Sequence, residues 1–168
     1  MEKTTKVNYA EENAGSWMGE ISKALELIER AECAHKDYSS FAGAEGSSDA
    51  PMVCESCGAD VDDNGEALKP LDAESIRDEL RESVLSVGVR CSQFMPLGEK
   101  LEADEFEILL STGGPALRII GSLNRFNEPQ SVRMEWQDWG TPWTFYAGYD
   151  SLNGPLLEQF AQLFYFGE

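Results

Sequence analysis

Alternation of apolar and polar residues in the second half of the chain is the feature that most restricts its fold. Leu85, Val87 and Val89 alternate with small or polar residues, and the same period of two recurs within 105–110, 117–119 and 132–136. This period is typical of β-strands with one buried face. The connections contain Gly and Pro and are too short for parallel crossovers. The pattern therefore predicts an antiparallel sheet of about four strands.

Three other segments have the three- and four-residue apolar spacing of amphipathic helices. An N-terminal helix is predicted over roughly 14–34, with Ser16 as a weak start signal. A middle helix follows Pro70, is capped by Asp72 and ends near Ser83. A closing helix starts at Pro155 and would cover one face of the sheet. The predicted class is α+β, an antiparallel sheet with N-terminal, middle and C-terminal helices.

Residues 39–51 are rich in Gly, Ser and Ala and predict a flexible loop or linker. The chain is therefore divided into two predicted parts. Residues 1–70 form an N-terminal helix with a Cys/His metal-binding loop subdomain, and residues 71–168 form the α+β core domain.

Two cysteines at knuckle spacing, Cys54 and Cys57, are followed by Gly58, a turn in which backbone amides can point at thiolates. Cys33 and His35, the one histidine of the chain, lie just upstream. Together these residues form a Cys3His set, an accepted type of structural zinc site. Because residues two apart on a helix point in different directions, the site requires the first helix to unwind near its end. We predict a structural zinc ion bound by these four residues.

Other interpretations of this stretch stay open. Unligated loop cysteines are the main alternative, and a CxxC redox motif is less favoured because no βαβ pattern follows it. Asp60, Asp62, Asn64 and Gly65 match the first half of a calcium loop, but Leu71 stands at the twelfth position, where a bidentate glutamate is needed. The simpler interpretation of Asn64-Gly65 is a hairpin turn.

Acidic residues outnumber basic ones by 31 to 13 among 168 residues, a formal net charge of -18. This charge repels nucleic acid and anionic membranes and favours cationic partners. Residues 45–107 hold 17 of the acids against five basic residues. The sequence has no apolar run of about eighteen residues and no apolar stretch of a signal peptide near its start. We therefore expect a soluble, cytoplasmic protein that binds neither nucleic acid nor membrane directly.

Two sets of residues are candidates for partner binding. Trp139 and Trp143 flank the turn Gly140-Thr141-Pro142 and fit either core packing or interface anchoring. The acidic set comes from the middle of the chain, where carboxylates can replace phosphates against Lys and Arg of a partner. Its members are Asp60, Asp62, Asp63, Glu66, Glu74, Asp78 and Glu79.

Catalytic constellations are not favoured by this sequence. Glu105 and Glu107 share one face of a strand, an arrangement compatible with acid/base work but more typical of the solvated face of an amphipathic strand. The single histidine is far in sequence from Cys91, and the stretch 111–115 lacks the Lys and following helix of a phosphate loop. We assign no catalytic residue.

Several blocks of the C-terminal half resemble a family of small acidic proteins of phages, prophages and plasmids of Gram-negative bacteria. The blocks are "ESVLSVGVR", "EFEILLSTGGPALRIIGSLN", "MEWQDWGTPWTFY" and "QFAQLFYFGE". They cover about residues 82–168, half of the chain. The resemblance implies a mobile-element setting more firmly than an activity, and the cysteine-containing half must be interpreted by itself.

Small acidic phage proteins often act against host defences, so the resemblance and the charge together suggest an anti-defence inhibitor of the anti-CRISPR kind. Under this hypothesis the acidic set imitates DNA and binds a host nucleic-acid-targeting complex such as a CRISPR effector. A second hypothesis is a zinc-stabilised adapter that binds a protein through Trp139 and Trp143. A third, a metal-dependent hydrolase, requires an open coordination position.

Overall fold

The computed structural model describes residues 8–40, 52–62, 64–94, 96–98, 102–147 and 153–167. Its helices are α1 (Tyr9–Glu32), α2 (Ala73–Ser83) and α3 (Asn153–Ala161). Its strands are β1 (Tyr38–Ser40), β2 (Met52–Cys54), β3 (Asp60–Val61), β4 (Ser86–Arg90), β5 (Glu105–Ser111), β6 (Ala116–Leu123), β7 (Pro129–Gln137) and β8 (Thr144–Phe145). The predicted α+β class is confirmed.

The strand count differs from the prediction. The strands form two antiparallel sheets, one of three strands in the order β1-β2-β3 and one of five in the order β4-β5-β6-β7-β8. The four strands predicted from alternation correspond to β4 to β7. The additional strands β1, β2, β3 and β8 are only two or three residues long, and so short a strand shows no period in its sequence.

The five-stranded sheet has one apolar and one polar face. Along β5, Phe106, Ile108 and Leu110 are buried while the residues between them are half-buried. Ile119 on β6 pairs with Met134 on β7, and both are fully buried. Helix α3 packs against β7 and buries Leu157, Phe160 and Ala161, as the predicted closing helix requires.

The helix ends show local reasons for their positions. Asn8 caps α1: its carbonyl oxygen accepts the N–H of Glu12 at 3.0 Å, and its side chain accepts that of Glu11 at 3.4 Å. The helix therefore begins at Tyr9 rather than near residue 14, and Ser16 is not its start. Asp72 caps α2 as predicted, accepting the N–H of Glu74 at 3.1 Å.

Contacts divide the chain into two compact units, Lys23–Asp78 and a second one made of Met1–Ser22 and Glu79–Glu168. The three-stranded sheet belongs to the first unit and the five-stranded sheet to the second. The domain boundary between residues 70 and 71 stays a prediction. Within the described ranges, no helix is both long enough and apolar enough to cross a bilayer.

Candidate metal centre

The end of α1 places two of the four predicted ligands. The helix stops at Glu32, and the N–H of Cys33 makes only a long, 3.4 Å bond back to the carbonyl of Arg30. His35 has a φ of 46°, in the left-handed region that helices do not use. The unwinding that the Cys33/His35 pair required is thus present, and it begins two residues earlier than the predicted end at residue 34.

The Cys54–Cys57 turn places the other two ligands. It joins β2 to β3, and the N–H of Gly58 donates to the carbonyl of Cys54 at 2.8 Å. Gly58 has a φ of 69°, which a glycine adopts without steric cost. A second bond runs from the N–H of Cys54 to the carbonyl of Ala59 at 2.9 Å and closes the turn.

Strand pairing brings the two halves of the site together. Tyr38 of β1 lies opposite Cys54 of β2, so the backbone that follows His35 runs beside the turn. The N–H of Glu55 also donates to the carbonyl of Asp37 at 2.9 Å. Two ligand pairs that are about twenty residues apart in sequence are therefore held by backbone hydrogen bonds.

The four ligand atoms form a compact group. The Sγ atoms of Cys33 and Cys54 are 3.7 Å apart, and Sγ of Cys57 lies 3.4 Å from Nδ1 of His35. All four atoms lie within 4.8 Å of one another. Among the described residues this is the one group of at least three His, Cys, Asp or Glu side chains that is arranged to hold a metal ion.

Two thiols of the site, those of Cys54 and Cys57, have shifted pKa values. The hydrogen bond with His35 and the backbone amides of Cys57 and Ser56 lower the pKa of Cys54 to about 6, although burial acts in the opposite direction. Burial raises the pKa of Cys57 to about 11. A bound cation stabilises neighbouring thiolates together, because its charge outweighs their mutual repulsion.

Three of the ligands also make up much of the local apolar cluster. Cys54, Ala59 and Val61 are its buried members, and Cys33, Met52 and Cys57 pack against them half-buried. Such a cluster is small compared with the cores that hold a domain by burial alone. The three cysteines form no disulfide bond with one another.

Comparison with known proteins adds no relative. The chain matches no family model, no curated protein and no solved structure. The resemblance to small acidic phage, prophage and plasmid proteins therefore stays a prediction.

The structure places the acidic set on β3, on the turn after it and on α2. Asp60, Glu66, Glu74, Asp78 and Glu79 are exposed. Asp63 lies outside the described residues. The role of these carboxylates in partner binding stays a prediction.

Asp62 has a structural role in the turn that follows β3. Its Oδ1 accepts the N–H groups of Asn64 and Glu66 at 2.9 Å each, and these bonds lower the pKa of its carboxyl group. The N–H of Asp62 donates to the carbonyl of Glu66 at 2.9 Å, and Gly65 has a φ of 80°. These bonds favour the hairpin-turn interpretation over a calcium loop, since the carboxylate oxygen is already used by the turn.

The two tryptophans have different environments. Trp139 is 77% exposed. Trp143 is half-buried, and the guanidinium of Arg118 lies over its ring at 4.1 Å from the centroid. Sequence reasoning missed Arg118, whose alternating position on β6 marked it as a residue of the polar sheet face.

The glutamates considered for acid/base work form ion pairs. Glu105 binds Arg90 at 2.6 Å, and Glu107 binds Arg118 at 2.8 Å. Arg118 also binds Glu135 at 2.7 Å. These ion pairs lie on the polar face of the sheet, in agreement with the interpretation of Glu105 and Glu107 as residues of a solvated strand face.

Proposed function

We propose that this chain is a non-catalytic, zinc-stapled binding protein of the anti-defence type that acts in the bacterial cytoplasm. Its acidic surface docks on a host nucleic-acid-targeting complex, such as a CRISPR effector, in place of DNA. The observation that carries the proposal is a coincidence within one compact unit: Lys23–Asp78 contains the four-ligand cluster and 14 acidic residues against five basic ones.

Zinc suits the four ligands by type and by spacing. In a tetrahedral site with Zn–S bonds of about 2.3 Å and Zn–N bonds of about 2.0 Å, two sulfurs are about 3.8 Å apart and a sulfur and a nitrogen about 3.5 Å apart. The Cys33–Cys54 and Cys57–His35 distances, 3.7 and 3.4 Å, are close to these values. Four protein ligands leave no position for water or substrate, so the ion would be structural rather than catalytic.

Exposed carboxylates support a cationic partner. The carboxylates of Asp60, Glu66, Glu74 and Asp78 reach solvent. Arg77, one of the few cations in the unit, pairs with Glu32 and Glu74, so its charge is neutralised locally. Carboxylates of this kind steer a protein toward Lys- and Arg-lined nucleic-acid channels. We expect Asp62 to contribute less, because one of its oxygens is bound to the turn.

The test is capture from a bacterial host lysate with identification by mass spectrometry. The wild type is compared with Asp60→Lys/Glu66→Lys/Asp78→Lys and with a control, Glu12→Lys/Glu20→Lys/Glu102→Lys. The control makes the same charge change at three exposed acids outside Lys23–Asp78. Capture is measured at low salt and at about 1 M salt, where charge interactions are screened beyond about 3 Å.

The proposal is supported if the wild type captures a nucleic-acid-handling complex at low salt but not at high salt. Duplex DNA should compete with this capture, and only the first triple variant should abolish it. A partner that the first triple variant still captures fully would refute this surface. Zinc is tested separately by the metal content of the purified protein, where one zinc per chain is expected.

A second candidate, the adapter hypothesis, is favoured by the 77% exposure of Trp139. Large exposed aromatic side chains are typical anchors of protein interfaces. This hypothesis predicts capture that survives high salt and is lost in Trp139→Ala and Trp143→Ala. The acidic-surface proposal predicts the reverse: capture is lost at high salt and is unchanged by Trp139→Ala and Trp143→Ala. The same capture experiment therefore separates the two hypotheses.

A further inference from the structure

A groove of about 320 Å3 lies on the polar face of the five-stranded sheet. All of its lining residues belong to the unit that contains Glu79–Glu168. Its charged rim consists of Arg90, Glu105, Glu107 and Arg133. The residues between them are small or apolar, so the base of the groove is formed by short or apolar side chains and its sides by charged ones.

The missing side chain of Gly88 and the irregular pairing of β6 with β7 shape this groove. Gly88 on β4 has no heavy atom within 4 Å of where a Cβ would stand. The β6–β7 register shifts between Ile120 and Ser122, a bulge that leaves Gly121 without a pairing partner on β7. Ser131 on β7 has a φ of 51°, a strained value for a residue with a side chain. Strain of this kind is retained where the surrounding structure requires it, and it is often found at binding sites.

Cross-strand register fixes where each charge stands. Gly88, Glu107, Ile120 and Arg133 are consecutive partners across β4, β5, β6 and β7 and therefore share one face. Glu105 stands on the same face two residues from Glu107. The groove thus has the guanidinium of Arg90 on its β4 side, paired with Glu105, carboxylates on its β5 side, the guanidinium of Arg133 on its β7 side and Ile120 between the β5 and β7 walls. With strands about 4.8 Å apart, the two walls are about 10 Å apart at the backbone.

The wall residues retain free hydrogen-bonding groups. Glu105 and Glu107 each use only Oε2 in their ion pairs with Arg90 and Arg118. Arg133 uses only Nε, which donates to Glu135 at 3.1 Å. Within the described part of the chain, Oε1 of both glutamates and the terminal nitrogens of Arg133 are available to a ligand.

We propose that this groove binds a short peptide with a free α-ammonium and a free α-carboxylate, of about dipeptide size. The ammonium is held by Glu105 and Glu107, the carboxylate by Arg133, and an apolar side chain lies over Ile120. Two extended residues span about 7 Å. The backbones of the two walls are about 10 Å apart, and the wall side chains occupy the remaining distance. A phosphate-bearing ligand would face two carboxylates, and a simple cation would leave Arg133 unsatisfied.

The test is titration of the full-length 15N-labelled protein with L-alanyl-L-leucine, followed by backbone amide shifts. We expect saturable shifts confined to β4 to β7. N-acetyl-alanyl-leucine amide, which lacks both charges, should bind at least about tenfold more weakly, since each charge-assisted hydrogen bond contributes about a factor of ten. Arg133→Gln should weaken binding of the free dipeptide about tenfold for the same reason.

A filling variant and a matched control sharpen the test. Gly88→Leu places a side chain in the open space of the groove, whereas Ser86→Leu adds the same side chain to the same strand and face outside it. We expect Gly88→Leu to abolish binding and Ser86→Leu to leave it unchanged, with both variants folded as judged by their spectra. Absence of saturable shifts with the wild type, or equal binding by Arg133→Gln or Gly88→Leu, would overturn the proposal.

Discussion

The five-stranded sheet and the three-stranded sheet differ in what can stabilise them. The strands β5, β6 and β7 have seven to nine residues each and bury large side chains such as Ile108, Leu117, Ile119 and Met134 completely. The strands β1 to β3 have two or three residues, and the buried cluster beside them contains Cys54, Ala59 and Val61. The first sheet thus buries a large apolar surface, whereas the buried groups beside the second are few and include residues that can also bind a metal.

With the proposed zinc ion bound, we expect one chain to combine two kinds of stabilisation. Where apolar area is small, a closed metal site supplies folding free energy directly, because the site exists only in the folded state. Loss of the metal and loss of a core side chain should therefore affect different parts of the molecule.

The largest expected effect is that of removing the proposed zinc ion. A zinc chelator, or Cys57→Ser, should raise amide exchange in residues 33–40 and 52–61 to the rate of an unfolded segment, because structural zinc contributes on the order of 10 kcal/mol in small sites. Hydrogen exchange followed by mass spectrometry measures this. Cys91→Ser is the control, since Cys91 lies outside the cluster and donates to the carbonyl of Gln93.

The four tryptophans provide an independent signal for this experiment. Trp17, Trp136, Trp139 and Trp143 all lie outside Lys23–Asp78, so their fluorescence reports on the unit that contains the five-stranded sheet. Chelation should leave that fluorescence unchanged. Slow exchange at Cys54 and Val61 in the metal-free protein would show that burial alone stabilises the three-stranded sheet. That result would contradict the proposed difference between the two sheets.

An intermediate effect is expected from the core of the larger sheet. Ile119→Ala should lower the free energy of unfolding by about 2–5 kcal/mol, because the removed atoms are fully buried and leave a cavity. Ile120→Ala, on the opposite face, should cost about 1 kcal/mol or less. Urea unfolding followed by tryptophan fluorescence measures both. The zinc content of both variants should stay at the wild-type value. Loss of zinc in Ile119→Ala would contradict the expectation that the two sheets are stabilised independently.

The smallest effect is expected from the polar face of the same sheet. Burial acts to raise the pKa of Glu135. Hydrogen bonds from Arg118 and Arg133 lower that pKa by more than burial raises it, so the net pKa lies below its ordinary value of 4.5. A lowered folded pKa gives stability that is present above the unfolded pKa and is lost as pH falls through the folded one. Wild-type stability should therefore decline between about pH 5 and pH 3 more steeply than that of Glu135→Gln. Equal slopes, measured as urea midpoints by fluorescence, would exclude this contribution.

Sequence patterns predicted the larger sheet and the ligands of the smaller one for different reasons. Alternation along β4 to β7 is a local property that a long strand repeats several times, so it can be recognised without partners. Cys33, His35, Cys54 and Cys57 were recognised because their residue types are rare and suited to one kind of chemistry. The cap at Asp72 was likewise local, since its bond reaches only two residues.

Tertiary structure alone decided the features that depend on distant pairing. The three-stranded sheet exists because Tyr38 pairs with Cys54 and Met52 with Val61, contacts that strands of two or three residues cannot reveal in sequence. The groove depends on the register that sets Glu107, Ile120 and Arg133 side by side, and on the bulge at Gly121. The physical reason is that the period of a strand specifies which face a side chain occupies, whereas its neighbours on that face are chosen by hydrogen bonds to other strands.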